Sequence, residues 1–140
     1  MRIFLDANIL VSVLNKEYPL FSYSSRILSL SGQRGFEVFT SPMCLAIAFY
    51  FAEKKNKKLA SKKLKLLCEN LSIAGNSEAA VSNTVNNAAI HDFEDGLEYY
   101  SALEKRCDCI ITEDTADFYF SDIEVLTGQH FFEKYLAKKA

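Results

Sequence analysis

The strongest constraint on the fold is the alternation, along the whole chain, of short apolar strand-like segments with longer segments of helical periodicity. "IFL" (residues 3–5), "FEVFT" (36–40) and "CDCIIT" (107–112) have the apolar, β-branched and aromatic content of buried strands. Helical segments follow them, and Ser41-Pro42 combines an N-cap residue with proline at the first helical position. Strands that alternate with helices predict a three-layer α/β/α sandwich with a mainly parallel central sheet.

The remaining segments extend the same pattern and leave no repeat, low-complexity stretch or linker. Further strands are predicted at "LSIA" (71–74) and "IEVLT" (123–127). The predicted helical segments are residues 19–30, 42–52, 56–70, 77–88, 92–106 and 128–136, with one helical turn in "DTADF" (114–118).

Length and composition narrow the class of protein. A chain of 140 residues fits one domain, 1–140, and 49% hydrophobic with 24% charged residues is typical of a globular protein. The net charge of -2 gives no global attraction to nucleic acid, so such binding has to be local. No apolar run approaches the ~18 residues of a membrane span. We therefore expect no membrane association. The four cysteines form neither zinc-site pairs nor a secreted disulfide framework, so we expect a cytoplasmic protein.

Four aspartates occupy positions that a parallel sheet brings toward one edge. Asp6 ends the first strand and Asp114 follows "CDCIIT", while Asp117 lies one helical turn later. Asp95 lies near the start of its helix. Each acid alone is explained by helix capping, by the helix dipole or by solvent exposure. Taken together, the four aspartates are expected near the carboxyl ends of neighbouring strands. Carboxylates that lie so close repel one another, so they need protons or a cation between them. Oxygen ligands without a histidine or cysteine cluster favour Mg²⁺ or Mn²⁺ over zinc.

These motifs, taken in order, resemble the PIN domain family, and within it the branch of toxin-like bacterial ribonucleases of toxin-antitoxin systems. "FLDANIL" is similar to the opening strand of that family with its first acid. "DFEDGLEYYSAL" is similar to its central helix, and "CDCIITEDTADF" to its strand followed by acids. "IEVLTGQHFFEKYL" looks like the closing strand and helix. The resemblance covers nearly the whole length.

The resemblance implies a nuclease that cuts single-stranded or structured RNA with Mg²⁺ or Mn²⁺. It implies that Asp6, Asp95 and Asp117 bind the ion and that Asp114 completes the acidic cluster. By position, Asn8 and Thr112 would support these ligands or contact substrate. The branch also implies an antitoxin protein as a partner, and apolar surface in the family often supports homodimers.

One position departs from the family pattern. Family members commonly carry Glu, or in some branches Asn, on the helix after the second strand, and here Ile47 occupies that position. Glu53 lies six residues further on, about 600° around the helix and therefore on another face. The departure leaves open an alternative, a catalytically weakened PIN-like module that binds nucleic acid or protein.

A lysine-rich segment, "EKKNKKLASKKLKLL", follows this helix and could contact a phosphate backbone. The RNA-binding candidates are Lys54, Lys55, Lys58 and Lys62. The alternative explanation is a solvated helix face above buried leucines.

Two other enzyme and signalling classes share the strand that ends in Asp. Haloacid dehalogenase-type phosphotransferases need a second Asp two residues later, where this chain has Asn8. Receiver domains usually pair acids early in the chain, and no acid neighbours Asp6.

Overall fold

Five parallel strands form one central sheet, as the sequence predicts. The computed structural model describes residues 1–137, and within them the strand order is β3-β2-β1-β4-β5 with every pairing parallel. The strands are β1 (Arg2–Leu5), β2 (Glu37–Thr40), β3 (Ser72–Ile73), β4 (Cys109–Ile111) and β5 (Glu124–Leu126).

Helices cover both faces of this sheet. They are α1 (Ala7–Leu14), α2 (Leu20–Leu28), α3 (Pro42–Lys55), α4 (Lys57–Cys68), α5 (Glu78–Asn86), α6 (Phe93–Glu104) and α7 (Gly128–Phe131). Helix α1 packs against α2 and α3, α3 packs against α4, and α5 packs against α6. The connections from β1 to β3 run in one direction across the sheet, and those from β3 to β5 run in the other. Because parallel crossovers are right-handed, α1–α4 and α5–α6 lie on opposite faces. The predicted three-layer α/β/α sandwich is confirmed.

The central strand β1 is covered on both faces, which explains its continuous apolar sequence. Ile3, Phe4 and Leu5 have no exposed surface, and neither do Ile110 and Ile111 on the neighbouring strand β4. Because buried packing holds β1 and β4 in place, it also fixes the positions at which the chain leaves each strand.

Two helices differ in detail from the sequence prediction. The predicted helix over residues 19–30 is α2 followed by a 3₁₀ turn, Ser29–Gly32, and Gly35 then adopts a φ of 90°, which glycine tolerates. After α7, the chain continues as one π-helical segment, Phe132–Leu136. The predicted Ser41 cap is present, since its Oγ accepts a hydrogen bond from the Cys44 N–H at 3.1 Å.

The sheet register places two strand ends side by side. Leu5 pairs with Ile111, and the Asp6 N–H donates to the Ile111 carbonyl at 3.0 Å. Strand order reverses at this point, because the chain leaves β1 for β2 and returns later to β4. Ligand sites of open α/β sheets form at such positions, beyond the carboxyl ends of the strands.

Candidate active site

An open cleft of about 490 Å³ lies beyond the carboxyl ends of β1 and β4. Its lining combines carboxylates, which we call the acidic wall, with apolar side chains, which we call the apolar wall. The acidic wall consists of Asp6, Glu17, Asp92, Glu94, Asp95, Glu113, Asp114 and Asp117. The apolar wall consists of Val11, Leu20, Ile47 and Phe51.

Asp6 is the most constrained acid of the cleft. It is 8% exposed and caps α1, since one carboxylate oxygen accepts a hydrogen bond from the Ala7 N–H at 2.6 Å. The other oxygen accepts a hydrogen bond from the Thr112 hydroxyl at 2.7 Å. The capping explanation of Asp6 is therefore correct, and the same contacts orient a carboxylate at the floor of the cleft.

Asn8 and Thr112 join Asp6 to Asp114. The Asn8 side-chain amide lies 3.2 Å from the Thr112 Oγ1 and 3.2 Å from an Asp114 carboxylate oxygen. Its carbonyl oxygen accepts from the Glu113 N–H, and the Thr112 Oγ1 accepts from the Asp114 N–H at 3.1 Å. The network therefore holds the segment after β4 against the segment after β1. Whether Asn8 or Thr112 also contacts a substrate stays a prediction.

The first turn of α6 brings further carboxylates into the cleft. Asp92 caps this helix, since one of its oxygens accepts from the N–H groups of Glu94 and Asp95. Burial raises the pKa of Asp95 to about 7, and the negative charges of the other acids add to the effect. In order of decreasing effect these neighbours are Asp92, Asp6, Asp117 and Glu94. At neutral pH, Asp95 thus keeps its charge only in part, and a cation in the cleft would favour the charged form.

Asp117 completes the set of predicted acids. It lies on the 3₁₀ turn Thr115–Phe118, and its N–H donates to the Asp114 carbonyl at 3.0 Å. Its side chain is exposed at the cleft. The fold therefore brings Asp6, Asp114 and Asp117 together with Asp95, although residues far apart in sequence supply them.

The predicted RNA-binding lysines lie outside the residues that line the cleft. The Lys54 ammonium lies 4.6 Å from the centre of the Tyr50 ring, and the Lys55 ammonium donates to the Asn15 carbonyl at 2.5 Å. Lys58 and Lys62 are exposed on α4. Their contact with RNA stays a prediction.

Sequence reasoning missed a buried carboxyl group beneath Asp6. Glu98, on α6, is only 1% exposed, and one of its oxygens accepts a hydrogen bond from the Cys44 thiol at 3.1 Å. Burial raises the pKa of Glu98 far above its usual range, and the neighbouring Cys44 and Asp6 reinforce this shift. One signal was available: Glu98 lies three residues after Asp95 and therefore on the same face of the helix.

Asp6, Cys44 and Glu98 form a tight group whose potential ligand atoms lie within 4.8 Å of one another. Burial raises the pKa values of both Cys44 and Glu98, which favours their neutral forms. Without a cation, these neutral forms reduce the negative charge buried beside Asp6.

Ile47 lies at the cleft, where the alignment with the family places an acid or amide. Its side chain is half-buried and belongs to the apolar wall together with Phe51, one helical turn further along α3. It brings no oxygen to the site.

The donor chemistry of the acidic wall fits a hard divalent cation. The predicted ligands Asp6, Asp95 and Asp117 offer carboxylate oxygens, and none of the cleft residues named above is a histidine or cysteine. Burial, and after it the charges of the neighbouring acids, raises the pKa of Asp95, so a cation beside it would favour its charged form. Mg²⁺ and Mn²⁺ prefer such ligands.

Comparison with known proteins identifies the family. The family model described as "PIN domain" matches residues 2–116. Ribonuclease VapC1 of Aquifex aeolicus (strain VF5) is 28% identical over 138 residues, which cover 96% of this chain and 95% of the relative. A crystal structure of VapBC2 from Rickettsia felis bound to a DNA fragment from their promoter contains a chain with the same fold. That chain superposes with a TM-score of 0.70 at 22% identity, over 90% of this chain and 97% of its own length.

Across residues 1–137, every helix is too short or too polar to cross a membrane.

Proposed function

Because the chain belongs to the PIN domain family, we propose that it is a metal-dependent endoribonuclease that hydrolyses RNA phosphodiester bonds. The observation that carries the proposal is the convergence of Asp6, Asp95, Asp114 and Asp117 on one cleft. The raised pKa of Asp95 supports it, because a cluster that suppresses its own charge gains most from a bound cation. The similarity to ribonuclease VapC1 supports the RNA substrate.

In this proposal, Asp6, Asp95 and Asp117 hold Mg²⁺ or Mn²⁺, and Asp114 completes the negative charge around it. A divalent ion held by these residues would supply a coordinated water of lowered pKa and positive charge beside the attacked phosphate. The hydrogen bonds from Ala7 and Thr112 keep the Asp6 carboxylate in one orientation, so little order is lost when the ion binds. Asn8 and Thr112 act behind these ligands and keep Asp114 beside Asp6.

The remaining partners are proposed with the same function. A single PIN domain over residues 1–140 would act in the cytoplasm on RNA, whose backbone Lys54, Lys55, Lys58 and Lys62 would help to bind. Similarity to a chain from a VapBC2 complex is consistent with a toxin that pairs with an antitoxin protein. We also expect a homodimer.

A specific observation favours a second candidate function. Ile47 lies at the cleft and offers no oxygen where the family commonly has one. With fewer ligands the cation binds more weakly. The alternative is a catalytically weakened module that binds RNA or protein through the same cleft.

The test is cleavage of a structured RNA by the wild-type protein in Mg²⁺, Mn²⁺ and EDTA, with Asp117→Asn as the inactive variant. Asp117 is exposed and caps no helix, so this change removes a charge and preserves the fold. Glu69→Gln, an exposed carboxylate at the end of α4, is the matched control. The nuclease proposal predicts cleavage by wild type and control with metal, and none by Asp117→Asn. RNA binding without cleavage under every metal condition would favour the binding module.

A further inference from the structure

Two of the predicted cation ligands come from separate segments of the chain. Asp95 lies on the first turn of α6, whereas Asp117 lies on the 3₁₀ turn Thr115–Phe118 after β4. A binding site must hold its groups to within about 0.5 Å of the productive geometry. The contacts that join these two segments therefore determine how well the acidic wall can bind one cation.

Tyr119 joins the two segments. It follows Asp117 by two residues, and its hydroxyl donates a hydrogen bond to the Ala89 carbonyl at 2.5 Å. Its ring also lies against the imidazole of His91, with ring centroids 5.8 Å apart. Tyr119 lies outside the residues that line the cleft, and 58% of its surface is exposed. Any effect of this side chain on a bound cation is therefore exerted through other residues.

The segment that accepts this hydrogen bond packs directly against the first turn of α6. Ile90 follows Ala89, and a Cβ added to Gly96 would lie 3.0 Å from the Ile90 Cγ2 atom. The same Cβ would overlap the Thr84 side chain on α5, so both contacts require glycine at this position. Asp95 directly precedes Gly96. The Ala89 segment and α5 together thus fix where the Asp95 carboxylate enters the cleft.

Further hydrogen bonds tie the connecting segment to α6. The Asn87 Oδ1 accepts from the Ala89 N–H at 3.0 Å, and the Asn87 Nδ2 donates to the Tyr100 hydroxyl at 3.0 Å. The Ile90 N–H donates to the Asn87 carbonyl at 3.1 Å. A segment held by these three hydrogen bonds moves with α6, so a constraint on Ala89 is also a constraint on the start of that helix.

We propose that Tyr119 is a positioning residue that holds the Asp95 carboxylate at the distance from Asp117 that one divalent cation requires. The inference rests on the proposed function and adds to it a residue outside the ligand set. The neighbouring Phe120 ring meets the Tyr99 ring edge-to-face, with centroids 5.3 Å apart, and so holds α6 one turn beyond Asp95. The Tyr119 hydroxyl supplies a second point of attachment, at the start of the helix. Two points of attachment fix the direction of α6 as well as its position, whereas one would allow the first turn to swing.

The test compares Tyr119→Phe with Tyr135→Phe. Tyr119→Phe removes the hydroxyl and keeps the ring beside His91. Tyr135→Phe is the matched control, because this exposed tyrosine also donates a hydrogen bond at 2.5 Å, to Glu124, and lies outside the lining of the cleft. Mn²⁺ affinity is measured by electron paramagnetic resonance of the free ion for wild type, both variants, Asp95→Asn and the double variant of Tyr119→Phe with Asp95→Asn.

Tyr119→Phe should weaken Mn²⁺ binding by about 2- to 10-fold, the effect of one lost hydrogen bond, and Tyr135→Phe should bind Mn²⁺ as wild type does. In the Asp95→Asn background, Tyr119→Phe should change the Mn²⁺ affinity much less, because the hydroxyl acts through the Asp95 carboxylate. A general structural role would lower the affinity equally in both backgrounds.

Amide hydrogen exchange in EDTA supplies a readout that needs no metal. Residues 89–95 should exchange faster in Tyr119→Phe than in wild type, because the start of α6 loses one point of attachment. The strand β1 should exchange equally in both proteins, and Tyr135→Phe should leave residues 89–95 unchanged. Unchanged exchange of residues 89–95 in Tyr119→Phe would overturn the inference.

The Mn²⁺ titrations separate this inference from the proposed function. Wild-type Mn²⁺ affinity in Tyr119→Phe would overturn the inference and leave the metal site standing. An equal loss of affinity with and without the Asp95 carboxylate would also overturn it. Failure of the wild type to bind Mn²⁺ would refute the metal-dependent nuclease and the inference together.

Discussion

Replacement of Asp95 by Asn should stabilise the protein at pH 8 when no divalent cation is present. Burial and the negative charges of Asp92, Asp6 and Asp117 raise the pKa of Asp95 to about 7. A carboxyl whose pKa is higher in the folded than in the unfolded state binds its proton more tightly when folded. Its contribution to stability is therefore complete below the unfolded pKa and is lost as the pH rises through the folded value.

The magnitude follows from the two pKa values. A change from the ordinary 3.8 to about 7 corresponds to about 4 kcal/mol at most. Because Asp95 is partly exposed to solvent and salt, we discount this to about 1–2 kcal/mol. Asn also loses the interaction of a negative charge with the start of α6, about 0.3–1 kcal/mol. The relief of burial and repulsion of the charge is the larger effect, so the net gain at pH 8 should be about 1 kcal/mol, and the larger part should develop between pH 5 and pH 8.

The assay is chemical denaturation of wild type and Asp95→Asn in EDTA at pH 5 and pH 8, repeated with Mn²⁺. Mn²⁺ should stabilise the wild type more than the variant, because the variant lacks one ligand charge. Glu69→Gln controls for the loss of an exposed carboxylate far from the cleft. A variant less stable than wild type at pH 8 in EDTA, or a difference that does not change with pH, would refute the reasoning.

Four further changes test other parts of the site. Ile47→Glu adds a carboxylate at the cleft, so it should tighten Mn²⁺ binding measured by calorimetry and lower the melting temperature in EDTA. If Ile47 served only the core, the variant would be destabilised and Mn²⁺ would not restore its melting temperature. Glu98→Gln should match the stability of wild type near about pH 4 and become the more stable protein as the pH rises above the ordinary pKa of 4.5, measured by denaturation at about pH 4 and pH 8. Burial raises the pKa of Glu98 in the folded protein, so only the unfolded wild type loses this proton in that range, and Gln has none to lose. Lys58→Ala with Lys62→Ala should weaken RNA binding evenly across sequences and reduce its salt dependence, measured by filter binding at several salt concentrations. Asp6→Ala should destabilise the protein by about 1–2 kcal/mol in denaturation even without metal, because it removes the cap of α1.

The sequence predicts the architecture well because local periodicity and the parallel sheet agree. Two strands are buried on both faces and therefore have uninterrupted apolar sequences, Ile3–Leu5 and Cys109–Ile111. The polar residue that follows each of these segments marks the edge of the sheet. That edge position is why the sequence alone predicts Asp6 and Asp114 near one another.

The same reasoning could not reveal which helical faces meet the cleft. Glu98 lies between Leu97 and Tyr99, both buried, and only the packing of α6 against the sheet determines that its carboxyl points beneath Asp6. The partners of Asp95 likewise come from three different segments, so its raised pKa depends on tertiary structure. The sequence also does not reveal that the cleft combines apolar side chains from α1, α2 and α3 with carboxylates from α6 and the segments after β1 and β4.

The central claim is that the acidic wall binds a divalent cation through Asp6, Asp95 and Asp117. The most direct measurement is anomalous diffraction from a crystal of the wild-type protein grown with Mn²⁺, alongside an Asp117→Asn crystal treated identically. The account predicts a manganese peak in the cleft within about 2.0–2.4 Å of carboxylate oxygens from these aspartates, and a weaker or absent peak in the variant. Wild-type crystals with ordered aspartates and no manganese between them, or with equal peaks in both proteins at another place, would contradict it.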